Sequence, residues 1–264
     1  KTNLYFSIMI KNIAITILFI TCTNFSLAQV EKIDTDRPDQ TESAVLVPKK
    51  WVQFEMGFSV QTTNALENEF QHPTLLSKYG ISKRIELRLI TTVQTNTYFH
   101  VTDKVKETGL SPVEVGAKIA LWEENKLLPK TSLIFHVGIP KLASGYFQVD
   151  HLAPNFRFTM QHSLTKKIGL GYNVGAEWDG VSKEATWIYT FAPGINLSKK
   201  WYGYIEAFGF ISKKNNPEHS LDGGIAYYIN PDFKIDLSSG FGISKAAPDW
   251  YIAVGGSFRF KTGK

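Results

Sequence analysis

Cysteine is almost absent from this sequence, which has one, Cys22, among 264 residues. It falls in an N-terminal stretch with the features of a cleaved leader, so the mature chain is expected to hold no disulfide and no thiolate metal site. The six histidines show no metal-ligand spacing. Gly-rich phosphate loops and nucleophile motifs are also missing. The sequence therefore predicts no metal, no cofactor and no enzymatic activity.

Dense basic runs are missing as well, although Lys and Arg total 29 against 24 Asp and Glu, a formal net charge of +5. The cationic residues are scattered through predicted turns, whereas nucleic-acid-binding proteins concentrate them on one face or in one run. We therefore expect no nucleic-acid partner.

The leader is predicted over residues 1–28. A basic start precedes an apolar stretch at 13–20, and Ser26-Leu27-Ala28 supplies the small residues of a signal-peptidase site. Cleavage before Gln29, and export, are the expected result. A retained membrane helix is the alternative, but the apolar stretch is shorter than the ~20 residues that span a bilayer.

Long hydrophobic runs are missing after the leader, because charge or alternation interrupts each one within a few residues. A membrane-spanning role would therefore require strands closed into a barrel. The sequence does alternate. Between residues 52 and 60, Phe54, Met56 and Phe58 point one way while Gln53 and Glu55 point the other.

This period-two pattern recurs about twelve times without a helical segment between repeats. The apolar face is continuous and ends in aromatic residues, whereas the polar face carries glycine beside full charges, as expected for lipid outside and water or ion pairs inside. A soluble sandwich also alternates, but its strands average about five or six residues. We predict an all-β fold: a single transmembrane antiparallel up-and-down β-barrel of about 12 strands over residues 51–260, followed by a tail at 261–264.

The connections predict how the barrel is oriented. Short turns alternate with longer connections, and short periplasmic turns with longer outer loops are typical of outer-membrane barrels. Both termini are therefore expected to be periplasmic. The longer connections are predicted near 62–73, 98–111 and 141–151.

The last strand predicts two partners. Gly255, Phe258 and Phe260 follow the Gly-x-x-aromatic-x-aromatic spacing of the terminal strand that barrel assembly machinery recognises. Assembly machinery and outer-membrane lipid are therefore expected to contact the protein. An ordinary amphipathic strand is the alternative.

Charges of both signs fall on the inward face of the predicted strands. If they are hydrated, they line a pore for small polar or charged solutes; if they are paired, they brace and close the lumen. These predicted pore-lining residues are Glu55, Glu86, Arg88, Glu114, Lys118, Arg157, Glu177, Glu206, Lys234, Asp236 and Arg259.

One predicted strand, near 201–211, departs from the common pattern. Placing Glu206 inside also places Tyr202, Tyr204, Phe208 and Phe210 inside, which would form an aromatic lumen stripe suited to an aromatic or amphipathic solute. A bulge or a plug contact that turns these rings toward lipid, or buries them, is the alternative.

Several stretches carry a family resemblance: IDTDRPDQTESA at 33–44, KYGI at 78–81, RIELR at 84–88 and APDW at 247–250. They resemble the outer-membrane family described as the putative MetA-pathway of phenol degradation. The resemblance spans nearly the whole mature chain and implies an outer-membrane barrel and a channel. It does not establish phenol as a substrate.

The resemblance is strongest within residues 29–50, where acidic residues surround Arg37 and Pro38. Such a cluster could coordinate a cation, or the segment could form a short plug or a rim contact in the barrel mouth. A solvated periplasmic lead-in is the alternative, and the specific string favours the plug or rim. The acidic residues are Asp34, Asp36, Asp39 and Glu42.

Two functions follow from the predicted barrel. The main hypothesis is a passive channel for small solutes, including aromatic or hydrophobic ones. The alternative is a closed barrel that serves as structure or anchors a partner, and an outer-membrane enzyme is a distant third. A continuous lumen distinguishes the first from the second.

Overall fold

The computed structural model describes residues 32–64, 67–100 and 103–263. The predicted signal peptide therefore lies outside the described residues. Within them, no helix is both long and apolar enough to cross a membrane. The regular structure consists of strands and of two short 3₁₀ helices, Pro140–Leu142 and Gly145–Phe147.

Thirteen β-strands make up the described part of the chain. They are β1 Trp51–Asn64, β2 Glu67–Gly80, β3 Ile85–Phe99, β4 Lys104–Leu110, β5 Val113–Trp122, β6 Lys130–Ile139, β7 Ala153–Ser163, β8 Ile168–Glu177, β9 Thr186–Asn196, β10 Trp201–Ser212, β11 Glu218–Asn230, β12 Phe233–Gly242 and β13 Trp250–Lys261.

Twelve of these strands form a closed barrel. Each pairs antiparallel with its neighbours in chain order, and β1 closes the barrel against β13 with Trp51 opposite Lys261 and Thr62 opposite Trp250. The remaining strand, β4, pairs with residues 93–99 of β3, whereas β5 pairs with residues 85–90 of the same strand. The next strand of the barrel wall after β3 is therefore β5. The all-β barrel of about 12 strands is confirmed.

Two predicted long connections were wrong. Residues 62–73 belong almost entirely to the β1–β2 hairpin, and β4 occupies half of the connection predicted at 98–111. Their mixed polar composition resembles that of a loop because neither face is uniformly apolar. Pairing with a neighbouring strand, which the local pattern does not encode, extends these segments as strands.

The burial of side chains is the reverse of that in a soluble protein. On β1, Met56 is 42% exposed and Phe58 is 40% exposed on the outer face, whereas Glu55 is 1% exposed on the inner face. Apolar side chains outside and charged ones inside are the pattern of a barrel surrounded by lipid. The protein is an outer-membrane β-barrel.

The two ends of the barrel differ. At the turn end, short connections such as 81–84, 164–167 and 197–200 join the strands. At the loop end lie longer ones such as 140–152, which contains both 3₁₀ helices, and 178–185. A periplasmic location for the turn end stays a prediction.

Candidate functional site: the lumen and its N-terminal segment

The N-terminal segment, residues 32–50, lies inside the barrel. It begins at the turn end, where the Ile33 amide donates to the carbonyl of Pro231 at 2.7 Å, and it returns there, where the Lys50 amide donates to the carbonyl of Gly80 at 2.8 Å. Between these points Ala44 and Val47 are buried. The segment therefore folds into the lumen and back before β1 begins.

Asp36 is the centre of an ion-pair network. Its carboxylate accepts hydrogen bonds from Lys78 Nζ at 2.9 Å, Arg88 Nη1 at 2.8 Å and Lys118 Nζ at 3.0 Å. These cations come from β2, β3 and β5. Burial alone would raise the pKa of Asp36, but the three cations hold that pKa well below its usual range. The carboxylate therefore remains ionised although it is buried.

The barrel wall depends on this carboxylate. Lys78 lies directly opposite Arg88 in the β2–β3 pairing, and like charges in that position repel. Asp36 lies between them. Lys78 also pairs with Glu55, and Arg88 with Glu86 at 3.1 Å. The three wall cations Lys78, Arg88 and Lys118 outnumber the two wall carboxylates Glu55 and Glu86, so the charges balance only when Asp36 of the N-terminal segment is in place.

Glu42 makes a second set of contacts further along the segment. Its carboxylate accepts from Arg88 Nη2 at 2.8 Å and lies 3.7 Å from Arg157. Its amide donates to the side chain of Asn173 at 2.7 Å. Arg88 also donates from Nε to His136 Nε2 at 2.9 Å. The segment is thus tied to β3, β7 and β8 as well.

The part of the lumen wall formed by β10 and β11 is different, because its two inward carboxylates form no ion pair with a cation among the described residues. Glu206 accepts from the Gln40 amide at 2.7 Å and from Thr41 Oγ1 at 2.6 Å. Asp222, directly opposite Glu206 on β11, accepts from the Tyr251 hydroxyl. Neither carboxylate forms a salt bridge with any residue that the structure describes.

Arg37 lies flat against the β1–β13 seam. It donates to Asp236 at 2.9 Å, and Lys234 Nζ donates to its main-chain carbonyl at 2.6 Å. A Cβ added to Gly57 would come within 2.0 Å of the guanidinium, and one added to Gly255 within 2.4 Å. Because these two glycines face each other across the seam, they form the surface on which Arg37 rests.

Two cavities remain on either side of the segment. The turn-end cavity, about 200 Å³, is lined by residues of β7 to β10 with Tyr228 and Lys234. The loop-end cavity, about 590 Å³, is lined by Phe208, Phe210 and Tyr251 among others. Arg37 and Asp39 line both cavities. These two residues therefore mark the place where the segment divides the lumen.

The family assignment follows from the sequence match. Residues 35–260 match the family model described as the putative MetA-pathway of phenol degradation. The chain belongs to this family. The match begins within the N-terminal segment, so it includes the residues that contact the barrel interior. A search of the curated proteins found no match.

Solved structures agree with the fold of this MetA-pathway family member. An outer-membrane channel from Pseudomonas putida F1 is similar, with a TM-score of 0.68 at 8% identity, covering 82% of this chain and 98% of that chain. The KdgM porin in complex with disordered oligogalacturonate has a TM-score of 0.53 at 9% identity, covering 80% and 99%. The NanC porin has a TM-score of 0.51 at 9% identity, covering 78% and 98%.

The structure places the predicted inward charges of this family member on the inner face. Some of them line a cavity, and the others do not. Most lie against the N-terminal segment or against each other rather than along a cavity. Only Lys234 and Glu177 line either of the two cavities described above. The buried ones are Glu55, Glu86, Arg88, Lys118, Glu206, Lys234 and Asp236, and the half-buried ones are Glu114, Arg157, Glu177 and Arg259.

The aromatic residues of β10 also face inward. Tyr204 and Phe208 are buried, Tyr202 and Phe210 are half-buried, and the neighbouring Ile205 is 68% exposed on the outer face. The β10–β11 register runs without a shift from Trp201 to Phe210. The bulge considered as the alternative is therefore absent from this pairing.

Sequence reasoning missed two buried residues of the lumen wall, Lys78 and Asp222. In β2, Leu75, Ser77 and Tyr79 alternate with Leu76 and Lys78. Because apolar residues lie on both faces of this strand, its alternation of apolar and polar residues is weak. The clue for Lys78 was the neighbouring strand: residues directly opposite each other face the same side of the wall, and Lys78 lies opposite the inward Arg88.

The seam glycines of this family member lead to a first prediction. Gly255→Ala should destabilise the barrel by about 1–3 kcal/mol, because the new methyl group would overlap the Arg37 guanidinium and the Met56 carbonyl. Urea unfolding of the refolded protein measures the change. Gly256→Ala is the matched control, since its Cβ would meet nothing closer than 3.6 Å. Equal effects of the two substitutions would show that Arg37 does not rest on this surface.

Proposed function

We propose that this protein is a passive outer-membrane channel for small solutes and that its N-terminal segment forms the constriction. The observation that carries the proposal is the pair of cavities that share Arg37 and Asp39 as lining residues. A solute that passes from one cavity to the other must pass these side chains. In a narrow pore, such charged groups set which solutes pass.

The stripe on β10 supports aromatic or hydrophobic solutes as part of the range. Tyr202 lines the turn-end cavity, Phe208 and Phe210 line the loop-end cavity, and Tyr204 lies between them on the same face of the strand. Rings on this wall therefore offer a solute apolar contact in both cavities. We propose that the predicted inward charges act mainly by holding the segment, and the cavity-lining ones by sorting solutes.

The similar solved structures support this proposal through their fold. Their names describe a channel and porins, and the closed barrel with a polar interior is common to them and to this chain. We infer no catalytic role. We also propose that assembly machinery recognises β13, which carries Gly255, Phe258 and Phe260 and closes the barrel against β1.

A closed structural barrel is the second candidate, and the ion-pair network around Asp36 favours it. Buried pairs that are fully satisfied rigidify a structure and exclude water. The channel is preferred because the network does not fill the lumen: a cavity remains on the turn-end side of the segment and a second one on its loop-end side.

Single-channel recording from the refolded mature protein in planar bilayers tests the proposal. We expect discrete current steps, of small size because the segment narrows the lumen. Liposome swelling with sugars of increasing size should show a sharp size limit. Stable insertion without current, both for the complete protein and for a variant without the segment, would contradict a channel and support a structural barrel.

A further inference from the structure

The loop-end cavity is lined by charged groups that a passive pore for neutral solutes does not require. Four carboxylates line this cavity, from Asp39, Glu69, Glu177 and Glu218, against one cationic side chain, Arg37. Arg37 is already paired with Asp236 at 2.9 Å, and the nearest cation to Glu177 is Arg157 at 3.9 Å. Burial raises the pKa of Asp39 to about 8, so this group is mostly protonated at pH 7. The other three carboxylates still outnumber the single cation, and the cavity wall has an excess of negative charge.

Aromatic rings occupy one wall of the same cavity. Phe208, Phe210 and Tyr251 line it, and the two phenylalanine rings meet edge to face with their centroids 6.1 Å apart. Ring faces attract cations, and they also bury the apolar part of a ligand. A flat apolar group and a positive charge would both be stabilised here.

A buried hydroxyl without a partner in the described part of the chain lies beside these rings. Ser238 lines the cavity and is 2% exposed, yet its Oγ has no partner among the described residues. Buried polar atoms are nearly always hydrogen-bonded. This hydroxyl therefore points to a ligand that carries a donor.

We propose that the loop-end cavity binds small organic cations in which an ammonium group is attached to a ring. The ring packs against Phe208, Phe210 and Tyr251, and the ammonium group faces the carboxylates. The transport of such cations rests on the proposed channel function, whereas their binding in this cavity does not. Anions of the same shape are repelled, and neutral analogues keep the ring contacts but lose the charge.

Equilibrium binding tests the inference independently of conduction. Isothermal titration of the refolded protein in a nonionic detergent would compare benzylammonium, benzyl alcohol and benzoate, which share a ring and differ in charge. We expect benzylammonium to bind about tenfold more tightly than benzyl alcohol, and benzoate to bind most weakly. Equal affinities, or a preference for benzoate, would overturn the proposal.

Variants locate the site. Glu177→Gln combined with Glu218→Gln should weaken benzylammonium binding about tenfold and leave benzyl alcohol binding unchanged. Phe208→Leu should weaken both ligands, while Asp249→Asn, an exposed carboxylate in a loop-end connection that does not line the cavity, should weaken neither. A cation preference that survives the double substitution would overturn the assignment to this cavity. Binding without current in bilayers would contradict the channel alone, and current without cation-selective binding would contradict this inference alone.

Discussion

Replacing Asp36 by Asn should lower the free energy of unfolding by about 3–5 kcal/mol, the cost typical of breaking a buried ion pair. The substitution keeps the size of the side chain but removes the charge shared by Lys78, Arg88 and Lys118. Three buried cations would then face one another with less compensation. Urea unfolding of the refolded barrel, followed by tryptophan fluorescence at pH 7, measures the loss.

The choice of pH 7 for this measurement follows from the direction in which the pKa of Asp36 is shifted. The pKa of Asp36 is held well below its usual value, by Lys118, Lys78 and Arg88 against the cost of burial. The stabilisation is therefore fully present above the ordinary pKa of an aspartate and is lost only as the pH falls through the lowered value. At pH 7 the wild-type carboxylate is ionised and the whole contribution is measured.

Asp34→Asn is the matched control for this prediction. Asp34 lies two residues earlier in the same segment and accepts a bond from Gln53 through its main-chain carbonyl, which the substitution preserves. Its effect should stay below about 1 kcal/mol, as for substitutions outside buried networks. If Asp36→Asn were as mild as this control, the network would not hold the segment in the lumen.

Removing residues 29–46 from the mature chain should raise the single-channel conductance severalfold. The deletion takes away the segment that separates the two cavities but leaves every barrel strand intact. It also removes five acidic and two basic residues, so the lumen becomes more positive and ion selectivity should shift toward anions. Conductance and reversal potential in planar bilayers measure both effects. An unchanged conductance would mean that the constriction lies elsewhere.

A disulfide between the N-terminal segment and the barrel wall would distinguish a constriction that stays fixed from one that moves during transport. Thr41 Oγ1 lies 2.6 Å from Thr190 Oγ1 on β9, so cysteines at both positions should be close enough to form a disulfide. The only native cysteine lies in the predicted leader, which leaves no competing thiol. We expect the oxidised double variant to conduct like the wild type, because the segment is already held at many points. Loss of current that a reductant restores would show that the segment must move for solutes to pass.

Much of the barrel could be predicted from local pattern. In β1, Glu55 faces the lumen and Met56 faces lipid because neighbouring side chains of a strand point to opposite sides. The same rule placed Tyr204 and Phe208 inside although they are aromatic. It failed at 62–73, where polar residues occur on both faces and only pairing between β1 and β2 specifies a strand.

The candidate site could be predicted only in part. The acidic string around Arg37 was identified as unusual, but its partners lie on strands throughout the barrel, up to 199 residues away for Arg37 and Asp236. No local pattern links such residues. Similarly, Gly57 appears in the sequence as an ordinary strand glycine and Gly255 as part of the terminal-strand spacing. Their contact with Arg37 exists only once β1 and β13 close the barrel.

The sequence by itself determined that the chain forms a barrel and which side chains face lipid, because alternation is a property of a single strand and the bilayer selects its apolar face. Tertiary structure alone decided that the inward charges are mostly paired with the N-terminal segment and that the lumen is divided into two cavities. The reason is electrostatic: Lys78, Arg88 and Lys118 can be buried together only around a shared carboxylate, and the closed barrel brings Asp36 to them.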